Sequence, residues 1–131
     1  MADWTKVTRT DAVDGMAAYP GYGEARSYTD ALGAEQVAIT LRTMPAGTGG
    51  RGSYGHRHQR QEELYLVVAG TLTAKVGDDI VELGPGDALR VAAHAFRSIH
   101  NDGDTDAQVV ICSVRDDGEG DPELQPDFWP S

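Results

Sequence analysis

At 131 residues the chain fits one domain, large enough to bury a hydrophobic core without disulfides or a structural zinc. Its formal net charge of −10 excludes nucleic acid and anionic membrane surfaces as partners, since both would be repelled. Cys112 is the only cysteine, which excludes an intramolecular disulfide and predicts a reducing, cytoplasmic compartment with the thiol buried and inert. The opening residues MADWTKVTRTDA lack the apolar core of a signal peptide, and no apolar stretch is long enough to span a bilayer. These features together predict a soluble cytoplasmic protein.

Sixteen glycines and six prolines, with β-branched residues in short clusters, predict many short strands rather than long helices. Residues 1–23 show little periodicity and read as an arm whose Trp4, Val7, Met16, Tyr19 and Tyr22 pack over the main domain. Glu24 to Asp30 reads as a first strand, with Leu32-Gly33 as its turn. Gln36 to Met44 alternates, with Val37, Ile39 and Leu41 on one side and Ala38, Thr40 and Arg42 on the other, as a half-buried strand should. Pro45 to Gly55 is glycine-rich, but no Gly-Lys-Ser/Thr follows and no helix begins there. A phosphate loop is therefore rejected in favour of the lip of a pocket.

Further strands are predicted at 63–68, 71–76, 80–83, 88–92, 96–101 and 107–114, separated by turns such as Gly77-Asp78-Asp79, Gly84-Pro85-Gly86-Asp87 and Asp102-Gly103-Asp104. Strands this short at such even spacing point to an all-β antiparallel sandwich or barrel. In Glu63 to Val68 both faces are apolar beyond the acid, so a second layer must cover the strand from outside. The arm or a second subunit can supply it, and a homodimer is expected. Asp116, Asp117, Glu119, Asp121, Glu123 and Asp127 crowd residues 115–131, which read as a solvated acidic tail pinned to the barrel by Phe128 and Trp129.

The chemistry centres on Gly50 to Gly70. His56 and His58 are two residues apart, so on extended backbone both imidazoles leave the same face. Glu63 follows the polar turn Gln59 to Glu62 and opens the next strand. Two imidazoles and one carboxylate brought together this way form the facial set used for non-haem iron and related divalent metals. Glu62 would be turned to the opposite face by its one-residue offset. Tyr65, one alternation beyond Glu63, reads as barrel lining whose hydroxyl can reach substrate.

At this point the sequence resembles the small single-domain cupins. The first motif of that family, G-x5-H-x-H-x4-E-x6-G, is matched by Gly50, His56, His58, Glu63 and Gly70. The resemblance covers about residues 36–114 and implies a single-domain double-stranded β-helix, or jelly roll, with extensions at 1–35 and 115–131 and a site inside the barrel. The second motif, G-x5-P-x-G-x2-H-x3-N, is kept only at Gly86 and Asn101. Ala92 stands at its proline, His94 at its glycine and Arg97 at its histidine.

That last departure matters most, because the resemblance makes the second-motif histidine a metal ligand, whereas a guanidinium has no lone pair to give. A fixed positive charge about 5 Å from a divalent ion costs on the order of several kcal/mol at an effective dielectric of about 20. Three arrangements are open. Arg97 can orient an anionic substrate beside a metal held by His56, His58 and Glu63; it can pair with Glu63 in a metal-free site; or His94 or His100 can restore the lost ligand. Parity sets His100 on the face opposite Arg97, and His94 falls in a turn. The expected function is a metal-dependent small-molecule enzyme, oxygenase-like or isomerase-like, using Fe, Mn, Ni or Zn, with Arg97 and Tyr65 as catalytic groups. The alternative is a metal-free pocket that binds a small anionic ligand without catalysis.

Overall fold

In the computed structural model, which describes residues 2–115 and 122–131, the chain is built from short antiparallel strands in two sheets. In chain order a 3-10 turn at Arg9–Asp11 precedes β1 (Val13–Asp14), β2 (Glu24–Ser27), α1 (Thr29–Leu32), β3 (Val37–Met44), β4 (Ser53–Arg57) and β5 (Glu63–Ala69). Then follow β6 (Leu72–Val76), β7 (Asp79–Leu83), β8 (Ala88–Val91), β9 (Arg97–His100), β10 (Ala107–Val114) and β11 (Glu123–Trp129). One sheet has the order β1-β2-β3-β10-β5-β8 and the other β11-β4-β9-β6-β7, the two layers of the expected jelly roll. No helix among the described residues is long and apolar enough to cross a membrane.

The expected strand boundaries hold to within a residue or two for β3 and from β5 to β10, because alternation and turn chemistry agree there, whereas β4 starts at Ser53, inside the stretch 45–55 read as a loop. The ends of the chain differ from expectation. The first strand stops at Ser27, and Thr29 and Asp30 begin α1, closed by Gly33 in the left-handed region at φ 66°. Within the arm, Val13 and Asp14 pair with Ser27 and Arg26 and extend the first sheet by one strand. The tail is not merely a solvated appendage, since β11 pairs with β4 through Glu123↔Arg57, Leu124↔His56 and Gln125↔Gly55. Pro126 breaks that ladder, and Asp127 takes φ 56° in the irregularity before Trp129 rejoins at Ser53. A proline is tolerated there because β11 is an edge strand. The acidic residues Asp116, Asp117, Glu119 and Asp121 lie outside the described residues.

The alternation in β3 runs opposite to simple amphipathicity. Arg42 pairs with Val109, and Val109 with Val67, both fully buried, so Arg42, Thr40 and Ala38 share the interior face with them. Val37, Ile39 and Leu41 therefore lie outside, beside Val110, Cys112 and Val114 of β10 and Leu64, Leu66 and Val68 of β5. The closed end of the barrel is packed by Met44, Val67, Leu72, Ala74, Ala107 and Val109, while Val91 packs in the row of Glu63. Asn101 seals that end: its side-chain amide donates to the Met44 carbonyl at 2.9 Å and the Thr105 carbonyl at 2.8 Å, and its Oδ1 accepts from Gly103 N–H.

Candidate metal centre

Two glycines bracket the strands that carry the site, and both are dictated by space. A Cβ on Gly50 would lie 1.8 Å from Ser98 Oγ, and one on Gly70, at φ 70°, would lie 2.5 Å from the Asp106 carbonyl. Any other residue at Gly70 would push the end of β5 off the backbone at Asp106 and Ala107, whereas at Gly50 the Ser98 side chain would have to give way. Between them β4 runs extended through Tyr54 and His56, and His58 follows at its end, its N–H donating to the Ala93 carbonyl. Alternation sends Tyr54, His56 and His58 inward together.

The chain reverses at 59–62, and Glu63 enters from the first residue of β5. His56 Nε2 lies 3.7 Å and His58 Nε2 3.6 Å from Glu63 Oε1, and the donor atoms of the three residues all fall within 4.8 Å of one another. A facial set with bonds of about 2.1 Å needs donors roughly 3 to 3.5 Å apart, so small side-chain adjustments bring this trio to ligating distance. The donor set fits a divalent ion: two imidazoles and one carboxylate, all half-buried and converging on one point.

Glu63 Oε1 is the hub of the cluster. Tyr65 Oη donates to it at 2.9 Å, and Arg97 Nη2 forms an ion pair with it at 3.1 Å. Burial pushes the Glu63 carboxyl up, but the adjoining His56, the Arg97 charge, the Tyr65 hydroxyl and His58 outweigh that and hold it at about 2. The carboxylate is therefore ionised throughout the neutral range. Burial, reinforced by the Glu63 charge, pushes the Tyr65 hydroxyl up, so it stays a donor.

Arg97 sits opposite His56 on the adjoining β9 and points into the barrel. It is 1% exposed, and its Nη1 donates to the Ala93 carbonyl at 3.1 Å and the Ala95 carbonyl at 2.8 Å. Of the three arrangements open from sequence, the geometry is the pairing of Arg97 with Glu63. Tyr65, at 4% exposure, has its hydroxyl committed to Glu63. His94 lies exposed in a turn, and His100 accepts from Arg51 N–H at its Nδ1 and packs on Trp129, so neither joins the cluster.

Sequence reasoning missed two parts of this site. One is β11, whose Leu124 pairs with His56 and whose buried Phe128 lies against Gly55, bracing the histidine-bearing strand. Pro126 disguised it. The other is Arg42, which the alternation of β3 had put on the face away from the apolar stripe, and that face is the barrel interior.

Residues 41–113 match the family model described as "Cupin domain". Among solved structures, a sugar phosphate isomerase from a cupin superfamily of Silicibacter pomeroyi is similar over 97% of this chain and 96% of its own, at TM-score 0.71 and 19% identity. A polyketide cyclase from Streptomyces resistomycificus is similar over 95% of this chain and 85% of its own, at TM-score 0.71 and 18% identity. A cupin protein from Bacteroides fragilis is similar over 92% and 91%, at TM-score 0.67 and 21% identity. At such identities the likeness shows the fold alone. No curated protein matches the sequence.

Proposed function

The chain belongs to the cupin family, and on that premise we propose that its barrel is a divalent-metal site of a small-molecule enzyme, isomerase-like or oxygenase-like, with His56, His58 and Glu63 as the ligands. The observation that carries this reading is the convergence of those three donors within 4.8 Å. Two of the similar structures bear the names of a sugar phosphate isomerase and a polyketide cyclase, and both names agree with chemistry on a small molecule inside the barrel. A bound ion there supplies Lewis-acid polarisation of a substrate oxygen or a site for dioxygen chemistry.

The protein's own groups set the conditions for that chemistry. Tyr65 fixes one lone pair of Glu63, and Arg97 holds the same oxygen from behind, so the carboxylate is oriented before any ion arrives. Arg97 also cancels the Glu63 charge, which leaves the ligand set neutral overall and the metal weakly held. The apolar outer face of β3, β10 and β5, with Leu64 47% and Leu66 39% exposed, is the surface on which we place a homodimer contact.

A second reading, a metal-free pocket for a small anion, draws on the 3.1 Å ion pair between Arg97 and Glu63. Thermal unfolding with manganese, iron, nickel or zinc separates the two. The metal reading expects a rise in Tm with at least one ion that His58→Ala abolishes. No rise with any of them, or a rise that His58→Ala leaves intact, would refute it.

A further inference from the structure

Among the cations of this chain, Arg42 stands apart. Arg9, Arg26, Arg51, Arg57, Arg90 and Arg97 all pair with carboxylates, and Arg60 and Arg115 also have partners. Among the described residues Arg42 has no ion pair and no side-chain hydrogen bond, and its Nε is buried without a partner. It nevertheless lies on the interior face of β3, in the row Arg42, Val109, Val67 that crosses the sheet one layer from Tyr65.

The cost of that placement is visible in the surroundings. Burial pushes the Arg42 pKa down, and the ionisable groups that act on its charge are the Tyr54 and Tyr65 hydroxyls. Tyr54 comes from β4, the strand of His56, and is 54% exposed, whereas Tyr65 donates to Glu63. An unpaired guanidinium in a partly desolvated barrel is unfavourable for the fold unless something else meets its charge. An arginine kept only for packing would be replaced by an apolar side chain at no loss.

We propose that Arg42 is the anchor for an oxyanion of the substrate, a carboxylate or phosphate group held inside the barrel between Arg42 and the His56, His58 and Glu63 cluster. The inference rests on the proposed reading of the barrel as a small-molecule site and names the class of molecule it takes. The planar fork of Arg42 suits bidentate contact with either oxyanion, and the Tyr54 hydroxyl is placed to add a donor from the facing sheet. The anchor is separate from Arg97, whose charge is already met by Glu63.

The test uses the 131-residue chain stripped of metal, since an ion would itself bind the probes. Inorganic phosphate and succinate are titrated by calorimetry and by thermal shift into wild type, Arg42→Gln, Arg42→Lys and Arg42→Met. The wild type is expected to bind at least one of the two anions, and the stronger one identifies the group. Arg42→Gln and Arg42→Met should weaken that binding by about tenfold or more, with Arg42→Lys in between. Arg42→Met should also melt higher than wild type without ligand, because it relieves the buried charge. Binding of neither anion by wild type, or binding by Arg42→Gln within about twofold of wild type, would overturn the proposal. A manganese-induced rise in Tm is followed in the same variants. An anion response lost in Arg42→Gln with no manganese response in any variant supports the anchor and overturns the metal reading.

Discussion

Replacing Arg97 by histidine should tighten divalent-metal binding while lowering the stability of the metal-free protein. Arg97 Nη2 lies 3.1 Å from Glu63 Oε1, the oxygen that also faces His56 and His58. An ion bound about 2.1 Å from that oxygen would stand no more than about 5 Å from the guanidinium. At an effective dielectric of about 20, a double charge and a single charge at that separation repel by about 7 kcal/mol before any relaxation. Even if relaxation removes most of this, what remains is worth about tenfold or more in affinity. Histidine removes the fixed charge and adds a lone pair at the strand position facing His56. The opposing loss is of the Arg97 bonds to the Ala93 and Ala95 carbonyls, about 1 to 3 kcal/mol for each acceptor left bare. Calorimetric titration of manganese or nickel into stripped wild type, Arg97→His, Arg97→Gln and Arg97→Lys reads the two effects apart. Affinity should rise in the first two variants and stay near wild type in Arg97→Lys, which keeps the charge. Equal or weaker binding in a folded Arg97→His would refute the electrostatic reasoning.

Other expectations follow from packing. Phe128→Ala, removing a buried ring that closes on Gly55, should cost about 3 to 5 kcal/mol and drop Tm by roughly 10 °C or more in a thermal melt. A melt unchanged to within a degree or two would mean β11 does not brace β4. Asn101→Ala strands the buried Met44 carbonyl and removes the donor to the part-buried Thr105 carbonyl, and should lower stability by about 2 kcal/mol or more, measured by urea unfolding; a loss near zero would contradict the sealing role. Leu66→Glu, in the middle of the apolar outer face, should give a monomer by light scattering if wild type is a dimer, with the fold intact by circular dichroism. A dimer that survives this change would move the contact elsewhere.

The cluster of His56, His58 and Glu63 was legible because its information is local: a two-residue histidine spacing, a polar reversal and a strand that begins on the acid. The strands β3 and β5 to β10 were legible for the same reason. What failed was non-local. The apolar stripe Val37, Ile39, Leu41 has the strand period, but nothing in one strand says whether the barrel interior or an outer contact takes it. The register of β3 against β10 decides that, by setting Arg42 opposite the buried Val109. The terminal strand was hidden because Pro126 argues against a strand unless its edge position is known. Arg97 was recognised as the departure from the second motif, but its direction toward Glu63 depends on the turn carbonyls of Ala93 and Ala95, which local sequence does not encode.

Metal analysis of the untagged protein at equilibrium, dialysed without chelator against manganese, iron, nickel or zinc and read against its dialysate, bears most directly on whether His56, His58 and Glu63 form a metal centre. The account predicts about one equivalent of at least one ion per chain at loading concentrations above Kd, falling to background in the His56→Ala and Glu63→Gln variants. Less than about a tenth of an equivalent of every ion in wild type, or the same content in wild type and both variants, would contradict it.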